Sequence, residues 1–121
     1  PVKGHYAPVI GLFKRQESEK IPITLVGNGL QRRDFTYIKD VVEANISAMN
    51  SEDLGHKVYN VGTGKNYSII DVARMIKVES PIVHIPPRPA EVQETLADIE
   101  LTTKDLGWIP SHSLEGTINN Y

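Results

Sequence analysis

Gly27-Asn28-Gly29-Leu30-Gln31-Arg32-Arg33-Asp34-Phe35-Thr36-Tyr37-Ile38-Lys39-Asp40-Val41-Val42 is the stretch on which the reading of this chain turns. Its first three residues suit a tight turn, because glycine accepts positive φ freely and asparagine is among the few other residues that do so readily. Arg32 and Arg33 follow directly. Residues 34–38 then alternate polar and apolar, the period of a half-buried strand. Asp40 suits a helix start, where a carboxylate accepts from the free N–H groups of the first turn. A guanidinium beside a strand end offers planar, two-pronged recognition of phosphate or carboxylate. The same arginines also fit a solvated strand end paired with Asp34, and spacing alone favours that plainer reading.

Upstream, Pro1 to Gly4 is an extended lead-in. Tyr6, Val9, Ile10 and Phe13 fall at helical spacing, with Lys14, Arg15, Glu17 and Glu19 on the polar side. A helix from about Ala7 to Ser18 follows, and Pro8 is tolerated in its first turn. Ile23–Val26 is a short β-branched strand ending at the glycine turn. Downstream, Val41, Val42, Ala44, Ile46 and Ala48 give an amphipathic helix closing near Asn50, with Gly55 marking the exit. His56 to Val61 reads as a strand, stopped by Gly62-Thr63-Gly64. Ser68-Ile69-Ile70-Asp71 resembles a capping box with Asp in the place of Glu or Gln, and opens a helix carrying Val72, Ala73 and Ile76. Ile82–Ile85 is a strand stopped by Pro86-Pro87, and Arg88 to Thr95 an ordered loop. Asp98 or Thr102 caps a short helix reaching Leu106 and closed by Gly107; Ser113 opens a last helix. Strands and helices alternate without repeat or linker, so the class is α/β, with residues 1–121 as a single domain.

The chain has 121 residues, a formal charge of −2 and 23% charged residues, with no basic excess to attract nucleic acid or an anionic membrane surface. Without cysteine there are no disulfides and no thiolate metal sites. His5, His56, His84 and His112 lie far apart, and each suits a surface or satisfied-core position better than a metal site. No apolar run approaches the roughly 18–20 residues of a membrane span, and no signal peptide is expected. A cytoplasmic chain is expected.

Residues 27–35 resemble the Gly-x-Gly-x-x-x-Arg-Asp-Phe segment of the extended short-chain dehydrogenase/reductase superfamily, the NAD-dependent epimerases and dehydratases acting on nucleotide-sugars. Tyr59-Asn60-Val61-Gly62-Thr63-Gly64, Arg88-Pro89-Ala90-Glu91, Ala97-Asp98 and Leu106-Gly107-Trp108-x-Pro110 match further motifs in the family's order. The UDP-glucose and UDP-N-acetylglucosamine 4-epimerases, isomerases of carbohydrate metabolism, are most similar in pattern. The family's dinucleotide loop and its Tyr-x-x-x-Lys pair have no counterpart here. The resemblance therefore implies a C-terminal portion: a small mixed α/β substrate-binding subdomain with one helix–strand piece of the Rossmann sheet and the Rossmann core missing. It implies UDP-sugar binding, weak because half the pocket is absent, and no catalysis by the chain alone. NAD is the full-length family's cofactor, with none expected in this chain. A free-standing nucleotide-sugar module, or a fragment of a dTDP-glucose 4,6-dehydratase-like enzyme, is the alternative.

The resemblance also supplies candidate site residues. Arg33 and Arg88 match the arginines that clamp pyrophosphate, and charge-assisted bonds of that kind are roughly twice as strong as neutral ones. Glu91 matches the carboxylate that accepts from ribose hydroxyls, a role suited to an acceptor-only group. Thr24 and Val26 lie on the strand whose backbone edge meets the base, with Val9 and Ile10 as walls or plain core. Ala90 stands where the family usually has glycine. No catalytic and no metal-binding residue is expected. A missing sheet neighbour for residues 56–61, and an uncovered helix from Asp40 to Asn50, would leave an open edge at residues 40–61; a homodimer through that edge is expected.

Overall fold

A computed structural model describes residues 8–52 and 54–121. In chain order the elements are α1 (Val9–Ser18), β1 (Ile23–Val26), β2 (Arg32–Arg33), α2 (Ile38–Asn50), β3 (Tyr67–Ser68), α3 (Ile69–Ile76), β4 (Ile82–Ile85), α4 (Glu100–Leu106), α5 (Leu114–Thr117) and a final 3-10 turn (Ile118–Asn120). They belong to two compact units. The first holds the chain through residue 33, residues 67–94 and residues 118–121; the second holds residues 34–66 and 95–117. The expected lead-in, His5, Tyr6 and the Ala7 helix start lie outside the described residues.

In the first unit, β1 and β4 pair in parallel, with Ile23 opposite Ile82 and Val26 opposite Ile85. Alternation along β1 buries Ile23 and Leu25 completely and leaves Thr24 and Val26 half-buried. α1 presents Ile10, Phe13 and Gln16 inward, and Phe13 is 1% exposed. Phe13, Ile23, Leu25 and Val72 make this core, each apolar side chain contributing about 1.5–3 kcal/mol by leaving water. β2 and β3 form a short antiparallel ladder, Arg32 opposite Ser68 and Arg33 opposite Tyr67. Ser68 caps α3 by accepting from the Asp71 N–H at 3.1 Å. Gly29 is required twice over: its φ is +74°, and a Cβ there would lie 2.6 Å from Leu25 Cδ2.

The expected substrate-binding subdomain with its Rossmann core missing is corrected by this sheet. Parallel strands need a long crossover, and the one between β1 and β4 carries α2 and α3. That is a Rossmann-like strand relation, present in the chain rather than absent.

In the second unit, α2 buries Asp40 and Ala44. Ile38, Val42, Ile46 and Met49 line its exposed side at 67%, 48%, 50% and 83% exposure. Trp108 and Leu114 supply the other large buried apolar groups. Thr102, buried within α4, donates its hydroxyl to the Asn60 carbonyl at 2.6 Å. Gly107 ends α4 with φ +67°, as its position after Leu106 predicts.

Three local expectations are corrected. The strand stops at Arg33, because the Asp34 N–H turns to the Thr95 hydroxyl at 3.1 Å and leaves the ladder. Asp40 does not cap α2. It is the third residue of that helix, and its carboxylate accepts from the backbone N–H groups of Ser111 and His112 instead. Residues 56–61 form no strand: no other described segment pairs with them, and Val58 is 87% exposed.

Candidate functional site

The first unit contains a pocket of about 250 Å³ between α1, β1 and the Arg88–Glu91 loop. Val9, Leu12 and Phe13 form its apolar wall, and Thr24 and Val26 its β1 face. Arg33, Arg88 and Glu91 supply its charge. All five residues singled out in the sequence, Thr24, Val26, Arg33, Arg88 and Glu91, thus line one cavity. Of the two helix positions considered for the wall, Val9 lines it, whereas Ile10 is core at 3% exposure.

Arg33 Nη2 donates to Glu91 Oε1 at 3.0 Å, with the two side chains 24% and 23% exposed. Its Nη1 donates to the Arg32 carbonyl at 2.8 Å, which fixes the plane of the guanidinium. The plainer pairing of Arg33 with Asp34 is not made. Glu91 reaches its place through a turn in which its N–H donates to the Arg88 carbonyl at 3.2 Å and Ala90 holds φ +60°. Ala90 thus adopts the left-handed backbone that a glycine takes without penalty. Arg88 is exposed, with no ion-pair partner among the described residues.

Two buried glutamines escaped the sequence reading. Gln16 binds Thr24 twice, donating from Nε2 to Oγ1 at 2.9 Å and accepting the Thr24 N–H at 3.2 Å. Gln31, 6% exposed, donates to the Val26 carbonyl at 3.1 Å. Both occupy the edge of β1 that faces away from β4. Gln16 continues the stripe Ile10–Phe13 by another three residues, and that spacing was the available signal.

The second unit's charged groups are used differently. The Asp34 carboxylate accepts from the Thr63 N–H at 3.0 Å, the Gly64 N–H at 3.0 Å, the Ala97 N–H at 3.2 Å and the Thr63 hydroxyl at 2.6 Å. Asp40 is fully buried; its burial pushes its pKa up, but bonds from His112 and Ser111 outweigh this and hold it below the ordinary aspartate value. His112 Nδ1 lies 2.7 Å from Asp40 Oδ1, and its ring stacks on Tyr37 with centroids 5.0 Å apart. The Tyr59 hydroxyl donates to Asp105 at 2.8 Å; desolvation and the Asp105 carboxylate push its pKa up, the wrong direction for a tyrosine acting as a base. Among the described residues no cluster could hold a metal ion, and no helix is long and apolar enough to cross a membrane.

The sequence model of the NAD dependent epimerase/dehydratase family matches residues 2–62. The chain belongs to this family. It is 32% identical over 114 residues to dTDP-L-rhamnose 4-epimerase of Burkholderia thailandensis, covering 91% of this chain and 31% of that protein. It is 36% identical over 102 residues to UDP-glucuronate 4-epimerase of Thermodesulfobacterium geofontis, covering 80% of this chain and 31% of that protein. Among solved structures, UDP-glucose 4-epimerase of Thermotoga maritima with UDP-glucose superposes with a TM-score of 0.83 at 29% identity, over 93% of this chain and 37% of that one. UDP-glucuronic acid 4-epimerase of Bacillus cereus, in complex with UDP-glucuronic acid and NAD, gives 0.85 at 26% identity, with the same coverage of 93% and 37%. The chain therefore spans about a third of the length of these relatives, which act in nucleotide-sugar metabolism.

The family match also corrects the reading of the chain as a C-terminal, isolated substrate-binding portion of a UDP-glucose or UDP-N-acetylglucosamine 4-epimerase-like enzyme. It falls on the N-terminal half of the chain, residues 2–62, and goes with the parallel β1–β4 pair as a Rossmann-like core.

NAD is present in the Bacillus cereus relative. Gly62-Thr63-Gly64 does not fit a dinucleotide pyrophosphate, because Asp34 already takes the N–H groups of Thr63 and Gly64.

Proposed function

We propose that this chain is part of an NAD-dependent nucleotide-sugar epimerase, and that its α1–β1 pocket receives the nucleoside diphosphate of the sugar nucleotide. The observation that carries this reading is the half-buried Arg33–Glu91 pair at the rim of an apolar cavity, with Arg88 beside it. Val9, Leu12 and Phe13 offer a base the apolar enclosure typical of small-molecule sites. Arg33 and Arg88 neutralise the diphosphate, and Glu91 accepts from the ribose hydroxyls. Binding of UDP follows, and weak affinity is expected of a site with only these contacts. Calorimetry of the chain with UDP and dTDP tests it. Equal affinity of the wild type and the Arg33→Ala, Arg88→Ala double variant would dispose of the clamp.

Self-association and cytoplasmic residence belong to the same reading. The exposed row Ile38, Val42, Ile46 and Met49 on α2, with exposed Val58 beyond it, is a self-complementary apolar surface for a second copy at residues 40–61. Sedimentation should show a dimer that Val42→Asp dissociates; a well-folded wild-type monomer at micromolar concentration would reject it.

A further inference from the structure

Arg33 and Arg88 line the same cavity but keep different company. Arg88 has no ion-pair partner among the described residues, whereas Arg33 has Glu91 at 3.0 Å. Glu91 in turn has no other side-chain partner among the described residues. The turn that carries it is closed by its own N–H, which donates to the Arg88 carbonyl at 3.2 Å, and Ala90 before it holds φ +60°. The carboxylate is thus presented at the cavity wall, against the guanidinium. An anion entering the cavity meets Arg88 unopposed. At Arg33 it either displaces Glu91 or lies against it. Displacement strips a half-buried carboxylate of its one charged partner, and lying against it sets like charges side by side; both are unfavourable.

Resting on the nucleotide site proposed above, we infer that Glu91 is a specificity-determining residue that sets the cavity against bare phosphates and pyrophosphate, and admits a diphosphate only when it carries a pair of neighbouring hydroxyls. Two such hydroxyls donate to the carboxylate in place of Arg33. The nucleoside then replaces the partner that its own diphosphate takes away. Pyrophosphate brings the charge without the pair of donors, and Glu91 is left facing it. Selectivity of this kind comes from what the site does to the wrong ligand rather than from an added attraction to the right one.

Titration calorimetry of the full chain with UDP, its 2′,3′-dideoxy analogue and pyrophosphate tests this. UDP and the analogue share base and charge and differ only in the two hydroxyls. The wild type should bind UDP about 30-fold more tightly than the analogue. Glu91→Gln keeps the size of the side chain and removes its charge. It should tighten pyrophosphate and the analogue by about tenfold each and bring no gain for UDP, so that the gap between UDP and the analogue closes to about threefold or less. Should Glu91→Gln fail to fold, the wild-type gap between UDP and the analogue decides the matter alone. A gain shared equally by all three ligands, a gain for none of them, or equal wild-type affinity for UDP and the analogue overturns the inference while the nucleotide site stands. Binding of none of the three overturns the site, and the inference with it.

Discussion

Arg33 and Asp34 adjoin in sequence, fall in different compact units, and are used in opposite ways. Arg33 meets one carboxylate and one carbonyl and keeps donors directed at a cavity. Asp34 has both oxygens occupied by the 63–64 turn and by Ala97. One charge lines a cavity; the other is consumed in holding the backbone. A guanidinium with five donors can satisfy two partners and still recruit a third, whereas a carboxylate surrounded by N–H groups has little left to offer. Adjacent positions in the sequence thus hold a charge that lines a cavity and a charge spent on the backbone.

The largest effect should come from Asp34. Asp34→Ala strands the donors of Thr63, Gly64 and Ala97, and bonds to a charged acceptor are worth about 1.5–3 kcal/mol each. With partial compensation by water, a loss on the order of 3–5 kcal/mol is expected in denaturant unfolding. The milder Asp34→Asn, which keeps one acceptor oxygen, should recover part of that. A loss below about 1 kcal/mol for Asp34→Ala would show that the turn holds itself, and the contrast with Arg33 would disappear.

Arg33→Ala should do the reverse. As a half-exposed pair with Glu91, it should change stability by less than about 1 kcal/mol. Its cost should appear in UDP affinity, about 2–3 kcal/mol or roughly 30- to 150-fold. A variant that unfolds, yet binds UDP normally when folded, would assign Arg33 to the scaffold after all.

Asp40 sharpens the contrast within the second unit. Its folded pKa lies below its unfolded value, so its stabilising contribution is complete above about pH 4 and is lost as pH falls through the folded value. Asp40→Asn should flatten the acid limb of a stability–pH curve measured by urea titration. An unchanged acid limb would mean that the Ser111–His112 contacts are not sensitive to its charge. The smallest effect belongs to Ala90. Replacing it by glycine relieves a left-handed backbone at the cost of a more flexible unfolded chain, for a net gain of about 0.5–1 kcal/mol in thermal unfolding.

The elements with strong period were legible. β1 and β4 carry β-branched runs bounded by Gly27 and Pro86, and the Ile69–Ile76 helix follows a serine cap; all three stand where the pattern places them. Residues 34–38 and 56–61 have equally good strand patterns and form no strand. Pattern specifies which face a residue turns, and only a hydrogen-bonding neighbour makes a strand. Asp40 misled for a related reason: a carboxylate at a helix start caps by default, but a second acceptor-poor segment, Ser111–His112, competes for it. The five pocket residues came from family resemblance, while Gln16 and Gln31 were hidden because polar residues are expected to face solvent.

The segment order of the two units has a consequence for synthesis and for protein dissection. Each unit is assembled from stretches separated in sequence by stretches of the other, with the chain passing between them after residues 33, 66, 94 and 117. Neither can be completed while the chain emerges until most of it has been made, since β1 waits for β4 and Asp34 for Ala97. Closing such long loops before any contact rewards them is slow. It also means that no single proteolytic cut can release one unit intact, so a nicked chain should stay together as a non-covalent pair of fragments until it unfolds.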